Sequence, residues 1–398
     1  LSTIHEWEQY TADFPQELKL ILSMIKGDLT AITPEDAQIR MKDIDWQLFL
    51  QLAHHHRLYS VLYLKIKELY SAVIPAFVVE NLRQQYTTNT FRMLHLTAEM
   101  EQVCGAFRER GIRNITLKGP ALAHDLYGDI SLRTSKDLDI LIPFDDVEFA
   151  EEILESLGYE SKEGKRTPTV SSWKWREHHI CYKHPVKRTQ VEIHWRLNPD
   201  SGRETDFELL WKRSRFSTYT QTPVRMLERE DLWAYLVTHG ARHGWFRLRW
   251  LLDIDQMIRN MPLDVKKVER RLKAEGRLSI GSQALHLASV LLDTPLDANY
   301  LALLSSHERV GEKLAIRGVV FMNEMIESPA DVKSYRSYLF ALRSTRQKLF
   351  FFIERLYPST WDVDQLPLPR SLHFLYFPLR PFLWFWRRIK RNTMTERG

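Results

Sequence analysis

The stretch Asp137-Leu138-Asp139-Ile140-Leu141-Ile142 sets two carboxylates one residue apart in an apolar run. Alternate side chains of a strand share a face, so Asp137 and Asp139 project together while Leu138, Ile140 and Ile142 turn into a core. Two adjacent acids repel, and the pair makes sense when a cation neutralises it. An oxygen-only cluster without nearby cysteines suits Mg2+ better than Zn2+. A third acid stands in another short apolar run, Val191-Glu192-Ile193-His194-Trp195.

Upstream, Asn114-Ile115-Thr116-Leu117 reads as a short strand, and Lys118-Gly119-Pro120 leads into the apolar-rich helical segment Ala121 to Tyr127. Pro120 suits a first helical position. The free N–H groups of a helix start attract anions, glycine lets a phosphate approach the backbone, and lysine adds a full charge. The segment therefore reads as a phosphate cradle beside a metal-binding acid pair.

In order, these features are a strand, a Gly turn, a helix, an Asp-x-Asp strand and a later apolar-acid-apolar strand. That order resembles the nucleotidyltransferase superfamily typified by DNA polymerase β. The Arg-x-x-x-Asp-x-Asp and acid-x-His patterns of lincosamide and aminoglycoside nucleotidyltransferases are matched by Arg133, Asp137, Asp139, Glu192 and His194. The Leu-Lys-Gly and acid-x-His-Trp signatures look most like those of bacterial, largely uncharacterised nucleotidyltransferase-like proteins. The resemblance covers residues 111 to 197, and more loosely 225 to 260. The chain departs from the superfamily pattern in Lys118-Gly119-Pro120 where Gly-Ser or Gly-Gly is usual, in a longer gap from Gly119 to Asp137, and in Glu192 as the third acid.

The resemblance implies an α+β fold, a nucleotidyltransferase-type mixed β-sheet core flanked by large helical regions. It also implies Mg2+-dependent transfer of a nucleoside monophosphate from a nucleoside triphosphate to a hydroxyl of a small molecule or peptide. Asp137, Asp139 and Glu192 would be catalytic and hold the metal, while Lys118, Gly119, Arg133 and His194 would bind the nucleotide. The alternative is a catalytically inactive nucleotide-binding or partner-binding protein with the same fold. The altered Gly motif favours that alternative; the three intact acids favour the enzyme.

Each piece also has a plainer reading. Asp137 alone suits a turn cap after Thr134-Ser135-Lys136, Lys118-Gly119-Pro120 alone an ordinary loop, and Glu192 alone an exposed strand face. Only their combination points to a site.

With 398 residues, 44% of them hydrophobic and 12% aromatic, the chain can bury a substantial core. We read a helical region over 1–110, the nucleotidyltransferase-like core over 111–222 and a second helical region over 223–398. The net charge of +5 is modest, and without a basic helix or known module no specific nucleic acid is expected as partner. Two cysteines, Cys104 and Cys181, make no disulfide framework and fit a reducing cytoplasm. The visible start, with Glu6, Glu8 and Asp13, does not resemble a signal peptide.

Within the N-terminal region Thr33-Pro34-Glu35 reads as a helix start. In the core, Val147 to Leu157 reads as a helix stopped by Gly158, and Ile180-Cys181-Tyr182 as a strand pairing with Val191-Glu192-Ile193. The polar segment Ser161 to Glu177, with Trp173 and Trp175, reads as a solvated insertion or substrate loop. Further on, a helix opens at Glu230 and ends near His239 to Gly244, and a second begins around Trp245 with Arg249, Trp250 and Asp253 on it; the resemblance implies that this pair packs behind the nucleotide pocket, with a structural Asp253 or Arg249. His239 with His243 lacks the third ligand that a metal site needs, and the run His54-His55-His56 reads as a solvent-facing or packed helix end in preference to a metal site. The C-terminal stretch Leu372 to Trp386 is aromatic but broken by Pro378, Arg380 and Pro381 and followed by Arg387-Arg388-Ile389-Lys390-Arg391. That pattern suits packing on the protein itself, or a peripheral membrane or protein contact through residues 372–391, and not a spanning helix.

Overall fold

The computed structural model describes residues 7, 9–27, 41–69, 73–162, 177–199, 205–325, 332–356, 362 and 366–395. Thr33-Pro34-Glu35 and the segment carrying Trp173 and Trp175 lie outside them. The N-terminal region contributes α1 (Gln16–Lys26), α2 (Trp46–His55), α3 (Tyr59–Leu69) and the long α4 (Ala76–Glu109). Helix α1 buries Leu18, Ile21 and Leu22 at helical spacing and stops at Gly27, which takes the left-handed conformation. Asp45 caps α2 by accepting from the backbone N–H groups of Gln47 and Leu48 at 2.9 and 3.1 Å.

The central region runs β1 (Ile115–Thr116), α5 (Pro120–Tyr127), β2 (Leu138–Leu141), α6 (Val147–Ser156), β3 (Glu160–Ser161), β4 (His179–Lys183), β5 (Gln190–His194), α7 (Phe207–Arg213), β6 (Arg215–Phe216) and β7 (Arg225–Met226). Among the described residues the strands form one mixed seven-stranded sheet in the order β3-β4-β5-β2-β1-β7-β6. The chain is thus mixed α and β. Its sheet continues to residue 226, past the expected core edge at 222. Strands β2 and β5 lie side by side in parallel at its centre, and β4 pairs with β5 in the expected register, Ile180 opposite Ile193 and Tyr182 opposite Val191. Every residue of β2 is buried, as expected of a parallel pair covered on both faces. Asp137 lies just before this strand.

Beyond the sheet come α8 (Arg229–Arg242), α9 (Leu248–Asn260), α10 (Val265–Glu275), α11 (Leu278–Leu292), α12 (Ala298–Ser306), α13 (Glu308–Asn323), α14 (Tyr335–Leu342), α15 (Thr345–Leu356) and α16 (Tyr376–Thr395). The second helix of this region begins at Leu248 and not around Trp245, because Trp245 adopts a left-handed φ of +57°. That turn folds the Trp245 ring back over Gly240, where a Cβ would stand 2.4 Å from it. In α16, Pro381 falls inside the helix, and among the described residues no helix is long and apolar enough to cross a membrane.

A fully buried ion pair ties α9 to the sheet region. Arg133 and Asp253 are both 1% exposed, and the guanidinium donates from Nε and Nη2 to the carboxylate at 3.0 to 3.1 Å. The Tyr127 hydroxyl donates to the same carboxylate at 2.9 Å. Removing one partner leaves a buried charge uncompensated. Asp253→Ala is therefore expected to lower unfolding stability by about 3–5 kcal/mol, and Arg133→Met combined with Asp253→Leu by far less. Urea denaturation of the three proteins checks this; a loss below about 1 kcal/mol in the single variant would refute the tie.

Candidate active site

The parallel register sets Asp139 beside Glu192 and Leu141 beside His194, and the antiparallel one sets His179 beside His194. Side chains two apart share a face, so Asp139, Glu192 and His194 gather on one side of the sheet. His194 Nε2 lies 3.1 Å from Asp139 Oδ1 and 3.5 Å from Glu192 Oε2. The Lys118 ammonium stands 3.1 Å from Asp139 Oδ2, and His179 Nε2 is 3.7 Å from Glu192 Oε2.

Local structure delivers Lys118 to this point. Leu117 donates its N–H to the Asp139 carbonyl at 2.9 Å, which keeps the chain beside β2 as it leaves β1. Gly119 then turns with φ +88° and ψ −154°, a conformation open to glycine and strained for other residues. Pro120 opens α5 in the first helical position, as expected.

The electrostatics follow from burial. Burial alone would raise the Asp139 carboxyl, but Lys118 and His194 outweigh it and hold Asp139 well below the usual carboxylate range. Burial likewise works against charge on Lys118 and His194, and the facing carboxylates reverse that and raise both. Glu192 is lowered, its desolvation offset by the hydrogen bond to His194. Asp137 behaves oppositely: burial and the neighbouring Asp139 charge push it up to about 6. His178 and His179 are lowered, chiefly by burial and then by His194, so both are neutral imidazoles.

These groups line a cavity of about 430 Å3 between the sheet and the helices α8 and α9. Lys118, Arg133, Asp137, Asp139, Glu192 and His194 all border it. Gly119, one residue from Lys118, is not among its lining residues. The guanidinium of Arg133 is engaged by Asp253. Helices α8 and α9 form a wall of the cavity through Tyr235, His239, Arg242 and Trp250, where the sequence reading set them behind it. Arg249 donates to the Thr134 carbonyl and, at 2.8 Å, to its hydroxyl, and burial lowers its pKa to about 9.

Two sets of three groups have ligating atoms within 4.8 Å of one another among the described residues: Asp139, Glu192 and His194, and His178, His179 and His194. Asp137 borders the same cavity outside both sets. Asp139 Oδ2 is buried with the Lys118 ammonium 3.1 Å away, and a carboxylate oxygen has a second lone pair to offer a cation. The donor set, two carboxylates with a third adjacent, therefore fits a divalent ion.

Sequence reading missed Arg57, Arg242 and Arg247 as cavity residues, together with His178 and His179. The histidines had a signal, since the β4–β5 pairing places His179 opposite His194. The arginines had none, because they arrive from separate helical segments.

Residues 42–293, more than half of the chain, match the model of a family described as uncharacterised nucleotidyltransferase. The chain belongs to that family, whose description points to nucleotidyl transfer in general with a nucleoside triphosphate as co-substrate. Searches of curated proteins and of solved structures find no match.

The Asp137 shift has a measurable consequence. Its folded pKa of about 6 lies above an unfolded carboxyl's. The protonated form thus adds stability below the unfolded value, and that contribution is lost as pH rises through about 6. Asp137→Asn removes the charged form, so the variant is expected to exceed the wild type by about 1–2 kcal/mol at pH 8 without divalent ions. The gap should close towards pH 4. Thermal melts across this range check it; equal stability of the two proteins at pH 8 would contradict the shift.

Proposed function

We propose that this family member is an active nucleotidyltransferase, moving a nucleoside monophosphate from a triphosphate to a hydroxyl of a small molecule or peptide. The observation that carries the reading is the gathering of Asp139, Glu192 and His194 beside Lys118 in one cation-rich cavity. Such a cavity suits a polyanion at one place and a cation at another.

Asp139 and Glu192, with Asp137 beside them, would hold Mg2+, which when bound neutralises phosphate charge and lowers the acceptor hydroxyl's pKa. Lys118 would carry phosphate charge, and Arg242, which now donates to His178 at 3.2 Å, would add to it; Gly119, which does not line the cavity, would serve by turning the chain so that Lys118 reaches it. The acceptor oxygen bonds to the α-phosphorus, the bond from the α-phosphorus to the bridging oxygen breaks, and pyrophosphate leaves with that electron pair. The hydroxyl proton passes to neutral His179, whose imidazolium Glu192 would stabilise. His194 keeps both carboxylates in place. Arg133 acts at a distance by holding α9 against the cavity.

Asp139→Asn keeps the shape and removes the charge. Turnover, read as pyrophosphate release over a panel of hydroxyl acceptors, should fall on the order of 10²-fold or more. Lys118→Ala should weaken Mg2+-triphosphate binding more than nucleoside binding in titration calorimetry. Metal-dependent triphosphate binding without pyrophosphate release on any acceptor would instead favour the inactive, binding-only reading. Unchanged triphosphate affinity in Asp139→Asn would defeat the site assignment itself.

The exposed aromatics of α16 support a peripheral membrane contact as well. Phe382 and Phe385 are 73% and 60% exposed, while Tyr376 and Leu383 pack inward, and Arg380 pairs with Asp362. Exposed rings next to a basic run suit an anionic lipid surface. Removing residues 372–398 should reduce sedimentation with anionic liposomes and spare triphosphate binding; an intact protein that ignores liposomes at low salt would end this reading.

A further inference from the structure

The catalytic cavity does not end at the carboxylates. Arg57 and Arg247 line both it and a second pocket of about 530 Å3, so the two spaces meet at these guanidiniums. No ion pair joins either arginine to a carboxylate among the described residues. The buried Nε of Arg247 has no hydrogen-bond partner. Exposed Lys136 borders the same cavity and feels both arginine charges. Asp137 attracts Arg57 and Lys136 without pairing closely with either, so these like charges remain costly, and a bound anion removes that cost.

The backbone holds the cluster in place. Arg57 stands at φ +60°, a conformation that a non-glycine residue adopts only when its surroundings impose it. Those surroundings are visible one residue earlier. The His56 ring accepts from the Leu248 N–H, and its carbonyl from the Arg249 N–H, each at 3.3 Å. The loop before α9 is thereby stitched to the end of α2, and Arg57 and Arg247 are brought to the same junction.

Beyond the arginines the pocket changes character. Among the described residues no carboxylate and no other lysine or arginine lines it, and Gln47, Gln51, Asn81 and Gln85 line it from α2 and α4. Side-chain amides offer donors and acceptors together, the chemistry that pairs with hydroxyl groups. We propose that this pocket is the acceptor site, and that the acceptor is a hydroxyl-rich molecule bearing one phosphate or carboxylate group. Its anion sits at Arg57 and Arg247, and its hydroxyls lie among the amides. This rests on the nucleotidyl-transfer reading: the triphosphate occupies the carboxylate end beside Lys118, and one acceptor hydroxyl reaches the α-phosphorus from the arginine end.

Titration calorimetry on the full chain tests it with hexose monophosphates, hexuronates, the parent hexoses, inorganic phosphate and a Mg2+-bound nonhydrolysable triphosphate. The wild type should bind the anionic sugars and not the parents, and the phosphate and carboxylate arms show which anion is preferred. Arg247→Gln and Arg57→Gln should each weaken that binding at least about tenfold while changing triphosphate affinity less than about twofold. Gln51→Leu, on the exposed side of α2, should weaken the sugar phosphates and leave inorganic phosphate unaffected. Melting curves show that each variant is folded. Equal loss of triphosphate affinity in the arginine variants would assign these cations to the nucleotide, and a wild type that binds no anionic sugar would remove the acceptor class. A wild type that binds anionic sugars through the arginines but no triphosphate would overturn the nucleotidyl reading and leave the pocket's ligand class standing.

Discussion

Asp139 is a carboxylate at the centre of a parallel strand pair, 1% exposed, and an isolated charge there would be prohibitively costly. Much of the site's layout answers that single problem. Lys118, in the turn after β1, and His194, on β5, face that charge, and the carboxylates they serve raise the pKa of both against the effect of burial. Two acids therefore remain ionised inside the protein before any ligand arrives. Asp137, just outside the strand, makes no close ion pair among the described residues, so burial and the Asp139 charge outweigh the more distant Lys118 and raise its pKa where that of Asp139 is lowered.

The helices after the sheet complete what the strands begin. Asp253 on α9 takes the Arg133 guanidinium and the Tyr127 hydroxyl, so the segment leading into β2 and the end of α5 are both anchored to one carboxylate. Arg249, four residues earlier on the same helix face, binds Thr134. These contacts fix α9 across the open face of the sheet, and Tyr235, His239, Arg242 and Trp250 then form a cavity wall. A nucleotide contact by Arg133, which borders the cavity, would have to compete with this ion pair, and we therefore propose a positioning role for it.

What could be read from the chain was what is local. Pro120 at a helix start, the helix from Val147 closed by Gly158, and the pairing of Ile180 to Tyr182 with Val191 to Ile193 rest on turn chemistry and short periodicities, and each stands where expected. The face shared by Asp139, Glu192 and His194 follows from strand alternation once the pairing is known. Arg133 shows the limit. Its motif position beside Asp137 and Asp139 suggested phosphate, but its partner lies 120 residues away on a helix whose packing no local pattern encodes. The start of α9 was misplaced for a similar reason: Trp245 has good helical neighbours, yet tertiary packing over Gly240 imposes a left-handed turn.

The same distinction explains the cation excess of the cavity. Negative charge comes from the sheet, where Asp139 and Glu192 stand in register; positive charge comes also from Arg57, Arg242 and Arg247, set around it by helices and their connecting turns. A cavity with only the carboxylates would attract metal and repel phosphate, and one with only the arginines would do the reverse. Placing the two signs on different structural layers lets them coexist without collapsing into close ion pairs: burial, and then the Arg57 charge, lower the Arg247 pKa to about 10. That separation is costly for a resting protein, and it is the arrangement expected of a site that must receive a cation and more than one anion together.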